Sequence, residues 1–199
     1  MGLISNGTTL LDAGAIDSGI TQGSMTLINT LTASSSANLT FSSGITSAYK
    51  EYVFHLINIH PATDTADLFI KFRDGSTAYD ATHNATVWRA YHGENNTSSA
   101  LEYEASEDVS QGTSGQGIAY NIGNDNDQST SGYFHLFNPA STVFHKHFLC
   151  RMQNSHGSDL ALDNYVAGYC NVTAAIDGIQ FVMDSGNIDS GTIKMYGVS

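Results

Sequence analysis

Alternation with a period of two governs this chain, and it is clearest over residues 174–199. There Ile179, Phe181 and Met183 alternate with Gln180 and Val182. Past the run SGNIDSG, Ile193, Met195 and Gly197 alternate with Thr192, Lys194 and Tyr196. Successive side chains of an extended strand point to opposite faces, so each segment has one apolar face. The Gly, Asn, Asp and Ser residues between them tolerate positive φ and bond locally, which stops one strand and reverses the chain. The spacing predicts a terminal hairpin whose last strand ties the C-terminus into a sheet.

The pattern recurs from Ser24 onward. Met25, Leu27 and Leu31 share one parity, and Leu39 and Phe41 form a short strand. Residues 51–59 are apolar on both faces, with Tyr52, Phe54 and Leu56 on one and Val53, Ile57 and Ile59 on the other. Such a strand is central and covered on both sides, or covered on one side by a subunit. Across the turn HPATDTAD, where Pro61 blocks strand continuation, Leu68, Ile70 and Phe72 predict its hairpin partner. Further strands are expected at Val87–His92, near Leu101 and Tyr103, at Ile118–Ile122, at Tyr133–Phe137, at Thr142–Gln153 and at Tyr165–Thr173. Turn signals every ~8–12 residues are the mark of a sandwich. With only 13% of residues charged, the chain lacks the Glu, Lys and Arg density that helical surfaces need. The expected fold is all-β, an antiparallel β-sandwich, jelly-roll-like, with an extended N-terminal arm. Residues 1–23 are the arm and residues 24–199 a single sandwich domain.

The arm holds no steady period. Leu3, Ile4, Leu10, Leu11 and Ile16 give it something to bury, so it reads as a docking segment that orders on a partner, or as a tail.

A formal net charge of −12 argues against nucleic acid, which needs clustered Lys and Arg. No run of ~18 apolar residues predicts a membrane span, and the N-terminus has no secretory signal pattern. Cys150 and Cys170 sit in consecutive predicted strands, where a reversal near residue 160 would bring them opposite each other. They are either a disulfide pair or two free buried thiols.

Three groups of residues could carry chemistry. If the 133–153 hairpin reverses about Ala140, His135 lies opposite His145, and His135, His145 and His147 share one patch. Three imidazoles so placed could bind a transition metal; the competing reading is subunit contact or polar edge. Trp88, Tyr91 and Tyr103, with Tyr120, could form a platform for a carbohydrate or receptor, or simply pack the core. Asp125 and Asp127 in the run GNDNDQ could bind calcium, although the loop lacks the EF-hand spacing. No nucleophile elbow, zinc-protease motif or phosphate loop is present. The chain reads as non-enzymatic, and no cofactor is expected.

The segments GLISNGTTLLDAGAI, LTASSSANLTFSSGITSAYKEYVFHLINIHPATD, HLFNPASTVFHKHF and AIDGIQFVMDSGNIDSGTIKMYGVS resemble a recurrent virion protein of marine tailed bacteriophages such as cyanophages. The resemblance spans nearly the whole chain, strongest in 31–64 and 134–199. It rests on turn and strand patterns, so it carries over no residue roles. It implies a β-sandwich component of the particle, either head decoration or tail- or fibre-associated, anchored by the arm and assembled in the host cytoplasm. Expected partners are other virion proteins and further copies of the chain, with a trimer favoured. The alternative is a fibre head that binds a host receptor or glycan through residues 93–116 and 123–132.

Overall fold

The computed structural model describes residues 24–199 and, ahead of them, the backbone of three short strands: β1 (Leu3–Ser5), β2 (Thr8–Asp12) and β3 (Ala15–Ile16). These pair antiparallel in the order β1-β2-β3 as a sheet of their own. The side chains of Leu3, Ile4, Leu10, Leu11 and Ile16 lie outside the described residues.

The body has thirteen strands: β4 (Met25–Thr32), β5 (Leu39–Phe41), β6 (Glu51–Pro61), β7 (Ala66–Arg73), β8 (His83–Gly93), β9 (Ser99–Tyr103), β10 (Val109–Gly112), β11 (Gln116–Ile122), β12 (Thr130–Phe137), β13 (Lys146–His156), β14 (Leu160–Cys170), β15 (Gly178–Met183) and β16 (Ile188–Val198). Every pairing is antiparallel, in one continuous 13-stranded sheet. A wide half runs β4-β16-β6-β12-β13-β14-β8, with β9 and β10 end to end along the far edge of β8. A narrow half runs β11-β7-β15-β5. The halves join where Ile122 of β11 pairs with His156 of β13. They nearly meet again where β4 passes into β5, so the sheet is barrel-like and almost closed.

Two expected hairpins do not form. β6 pairs with β12 and β16, not with β7, and β15 pairs with β5 and β7, not with β16. Three strand pairs, β4/β5, β6/β7 and β16/β15, cross from the wide half to the narrow half side by side, giving β4-β16-β6 on one and β5-β15-β7 on the other. Backbone hydrogen bonds tie their turns to each other. Ser36 N donates to Ile188 O at 2.8 Å, Ala62 N to Asn187 O at 2.9 Å and Ala33 N to Gly191 O at 2.9 Å. Bulges in the β16–β6 register sharpen the bend. Gly191 sits there at φ 117, where a Cβ would lie 2.5 Å from Asn58 O. Alternation tells which face a residue takes; it does not tell which strand lies alongside, and a corner and a hairpin share the same turn residues.

The inward parity fills one core. Phe54 lies at its centre, with ring centroids 5.3 Å from Phe41, 5.8 Å from Phe134 and 5.9 Å from Phe181. Phe72 and Phe148 stack at 5.2 Å. Tyr120 is buried among them, so it belongs to the core.

Candidate functional surface

The inward residues of β13 are Lys146, Phe148, Cys150, Met152 and Asn154, and all are buried. Its outward residues, His147, Leu149, Arg151 and Gln153, are exposed. The register carries this outward parity across the wide half as ordered rows. One row reads Leu27, Tyr196, Val53, His135, Leu149, Ala167 and Thr86. The next reads Lys194, His55, Tyr133, Arg151, Tyr165, Trp88 and Tyr103. Eight strands, β9 included, therefore present an aromatic and aliphatic face on their outer side.

The second row is fixed in place. Trp88 and Tyr165 stack with centroids 3.8 Å apart and planes 5° from parallel. The Arg151 guanidinium lies 4.8 Å from the centroid of Tyr165. Arg151 Nε and Nη2 donate to Asp163, the Nη2 to Oδ2 bond being 2.7 Å, and the Tyr165 hydroxyl donates to the same oxygen at 3.1 Å. These bonds raise the Arg151 pKa, and desolvation followed by Asp163 raises that of Tyr165. Such a fork, stacked on a ring, keeps its geometry at low entropic cost. In the neighbouring row His135 Nδ1 lies 2.5 Å from Glu51 Oε1. Tyr103 donates to Asp108, whose other oxygen accepts the Val87 N–H at 2.9 Å.

Of the platform expected from the sequence, Trp88 and Tyr103 do pair across β8 and β9. Tyr91 does not join them. Three residues from Trp88, it takes the opposite parity and packs against the core. Its place is filled by Tyr165 and Tyr133, each available to period-two reading once the register is known.

The register assumed for the histidines is corrected. His135 pairs with Leu149, not His145, because the chain reverses later than Ala140, through the 141–145 loop. His135 turns to Glu51, while His145 stacks on Tyr169 at 5.1 Å and His147 lies 5.9 Å from the same ring. The structure does not bring the three imidazoles to one point, and among the described residues no group of three or more His, Cys, Asp or Glu could hold a metal ion. That covers the 123–128 loop, where Asp125 N donates to Gln128 Oε1 at 3.1 Å and His60 Nε2 lies 3.2 Å from Asp125 O. The cysteines are displaced by the same kind of slip. Cys150 faces Val166 and Cys170 faces Lys146. Both are free and buried, and desolvation pushes their thiols up, Cys170 to about 12.

Two polar groups, one buried and one half-buried, escaped the sequence reading. Lys146 is fully buried, and its Nζ donates to Val172 O at 2.6 Å and Ala174 O at 2.5 Å. The signal was present, since Lys146 shares its parity with Phe148. Burial lowers its pKa. Asp67 accepts the Asn121 N–H at 2.6 Å, and its N–H donates to Asp184 Oδ1 at 2.9 Å. Desolvation, reinforced by Asp184 and Glu107, pushes Asp67 up to about 6.

No known protein family, curated protein or solved structure matches the chain.

Proposed function

We propose that the chain is a non-enzymatic structural component of a tailed-phage particle, head decoration or tail- or fibre-associated, carried in the virion and anchored by its N-terminal arm. The observation that carries this reading is the division of the chain into two hydrogen-bonded parts. Among the described residues, strands β1–β3 pair with one another, and the 13-stranded body is a separate sheet. A small leading unit ahead of a rigid β body suits a protein held at one end and presenting the other. The three stacked corners fit a jelly-roll-like path for the body. The segment resemblance supplies the particle. Particles assembled with a chain lacking residues 2–23 are expected to lose the protein, while the shortened chain keeps its β spectrum in solution. Retention at full occupancy defeats the anchoring role.

The second reading, a receptor- or glycan-binding head, is favoured by one feature: a shallow depression lined by Trp88, Leu101, Glu102 and Tyr103 at the β8–β9 edge. It predicts that the purified chain binds host cells or glycans and that Trp88→Ala abolishes binding. Particles that adsorb equally well without the protein exclude it.

A further inference from the structure

We propose that the outer face of the wide half is a contact surface between copies of this chain, built around an aromatic knob and a small-residue hollow on the same face. The knob is the loop between β12 and β13. Val143 and Phe144 are 71% and 69% exposed there. The loop is held in shape, because Ser141 Oγ accepts both of their N–H groups, at 3.2 and 2.8 Å, and His145 stacks on Tyr169 with planes 6° apart. Two adjacent large apolar side chains held out in water on a braced loop are costly unless something covers them.

The hollow lies beside Tyr169, between Leu149 and Thr86, and is floored by Ala85, Ala167 and Gly168. Position 168 admits only glycine, since a Cβ there would lie 2.3 Å from Asn84 O and 2.6 Å from the Phe148 ring. The chain's own Phe144 is not among the residues that line it. A second copy brings a Phe144 of the right size and chemistry, and takes the first copy's knob in return if the pair is two-fold.

Charge selects the same occupant. The chain carries −12, yet the fixed charges of this face nearly cancel, with Arg151 and Lys194 set against Glu51, Asp163 and Asp108. Asp163 is held by Arg151, Asp108 by the Tyr103 hydroxyl and the Val87 N–H, and Glu51 lies against His135. Most of the acidic excess therefore lies elsewhere, and each carboxylate of this face is already engaged within its own copy. The centre of the face is Tyr, Trp and Arg with few free charges, the composition of an interface core. A sugar is the weaker fit, because stacking needs an open ring face. Tyr165 has Trp88 on one side and Arg151 on the other.

The inference stands apart from the virion reading, since copies can pair in or out of a particle. The test uses the full chain in sedimentation velocity over a dilution series from about 100 µM to about 0.1 µM, with emission from the sole tryptophan, Trp88, followed in parallel. The expected result is a mass above one copy at high concentration. On dilution it falls to one copy while the Trp88 emission shifts to the red. Phe144→Asp and Ala167→Arg each weaken association by roughly tenfold or more, with unchanged far-ultraviolet dichroism. Gln180→Arg, on the outer side of the narrow half, leaves association as it was. Single copies at every concentration overturn the proposal, as does association that ignores both substitutions or responds equally to Gln180→Arg. A single-copy chain whose Trp88 emission answers to soluble oligosaccharides also overturns it, in favour of a glycan site. If Phe144→Asp does not fold, Ala167→Arg and the unmutated dilution series still decide. Failure leaves the arm-deletion experiment untouched, because that reads incorporation and not pairing.

Discussion

On the narrow half, β7 turns Asp67, Phe69, Lys71 and Arg73 outward, and β15 turns out Gln180 and Val182. On the wide half, β13 and β14 turn out Leu149 and Arg151, and Tyr165 and Ala167. The inward residues of the same four strands are alike: Leu68, Ile70 and Phe72; Ile179 and Phe181; Phe148 and Met152; Leu162 and Val166, all buried. Folding therefore asks the same of both halves on the inside. It does not explain the difference outside, where Arg73 is tied to Asp177 and Gln180 to Thr40 on one half while Trp88, Leu149 and Tyr133 stand exposed on the other. Outward aromatics that add nothing to the core are better explained by contact than by stability.

The sharpest way to break this contrast is to cut one residue from each side of the sheet. Phe54→Ala removes the ring at the centre of the core and leaves a cavity bounded by Phe41, Phe134 and Phe181. The expected loss is about 3–5 kcal/mol in urea unfolding. Leu149→Ala on the outer face of the wide half, half-exposed in the single chain, is expected to cost below about 1 kcal/mol under conditions where the chain is a single copy. Equal losses would mean that the outer face is part of the fold and not a surface held for a partner.

The next largest effect belongs to the narrow half. Asp67 rises from its ordinary 3.8 to about 6 in the folded chain. Between those values the folded state holds a proton that the unfolded state has released. Stability from this group is therefore fully present below pH 3.8 and is lost as pH rises through 6. At ~1.36 kcal/mol for each pH unit the swing is at most on the order of 3 kcal/mol, and solvent screening of this half-buried carboxyl reduces it. Asp67→Asn keeps an oxygen for the Asn121 N–H and removes the proton, so it should flatten this part of the stability profile and stabilise the chain at pH 7. A profile between pH 4 and pH 7 that is unchanged by Asp67→Asn would place the titration elsewhere.

Which parts were readable from the sequence follows from the same physics. Face assignment was legible, because parity is local: Ile179, Phe181, Ile193 and Met195 are all buried as their alternation requires. Adjacency was not. Residues 174–199 fall into two strands as expected, but β15 and β16 part company at Asn187, whose carbonyl is taken by Ala62 N of another corner. That choice depends on a strand more than a hundred residues away. Register was legible only to within a turn, and a small error near Ala140 moved His135 from His145 to Leu149. Of the working face, Trp88 and Tyr103 were visible as a pair, but Tyr165 and Arg151 join them only through pairings that a linear reading cannot supply.

A smaller effect tests Lys146, a buried cation on the inner side of the wide half. Lys146→Met removes a desolvated ammonium, which by itself favours folding. It also leaves the carbonyls of Val172 and Ala174 without their donor. Orphaned acceptors should outweigh the relief, for a net loss of about 1–3 kcal/mol. The connection from β14 to β15 should become the first segment to exchange its amide protons. A stabilised variant would show that Lys146 is tolerated there and not used.

The smallest expected effect is at the centre of the outer face. Asp163→Asn removes the carboxylate that grips Arg151 at 2.7 Å, a pair whose Arg151 side chain is 48% exposed. Exposed pairs of this kind contribute below about 1 kcal/mol, so the unfolding midpoint should hardly move. The guanidinium, freed from its fork, then leaves the ring of Tyr165, and the stack with Trp88 loses its brace. Trp88 emission should change more than stability does, and raised salt should reproduce part of that change in the unmutated chain. A large stability loss with unchanged Trp88 emission would turn the comparison round, making Asp163 a structural residue of the wide half and leaving its aromatic row unsupported as a prepared surface.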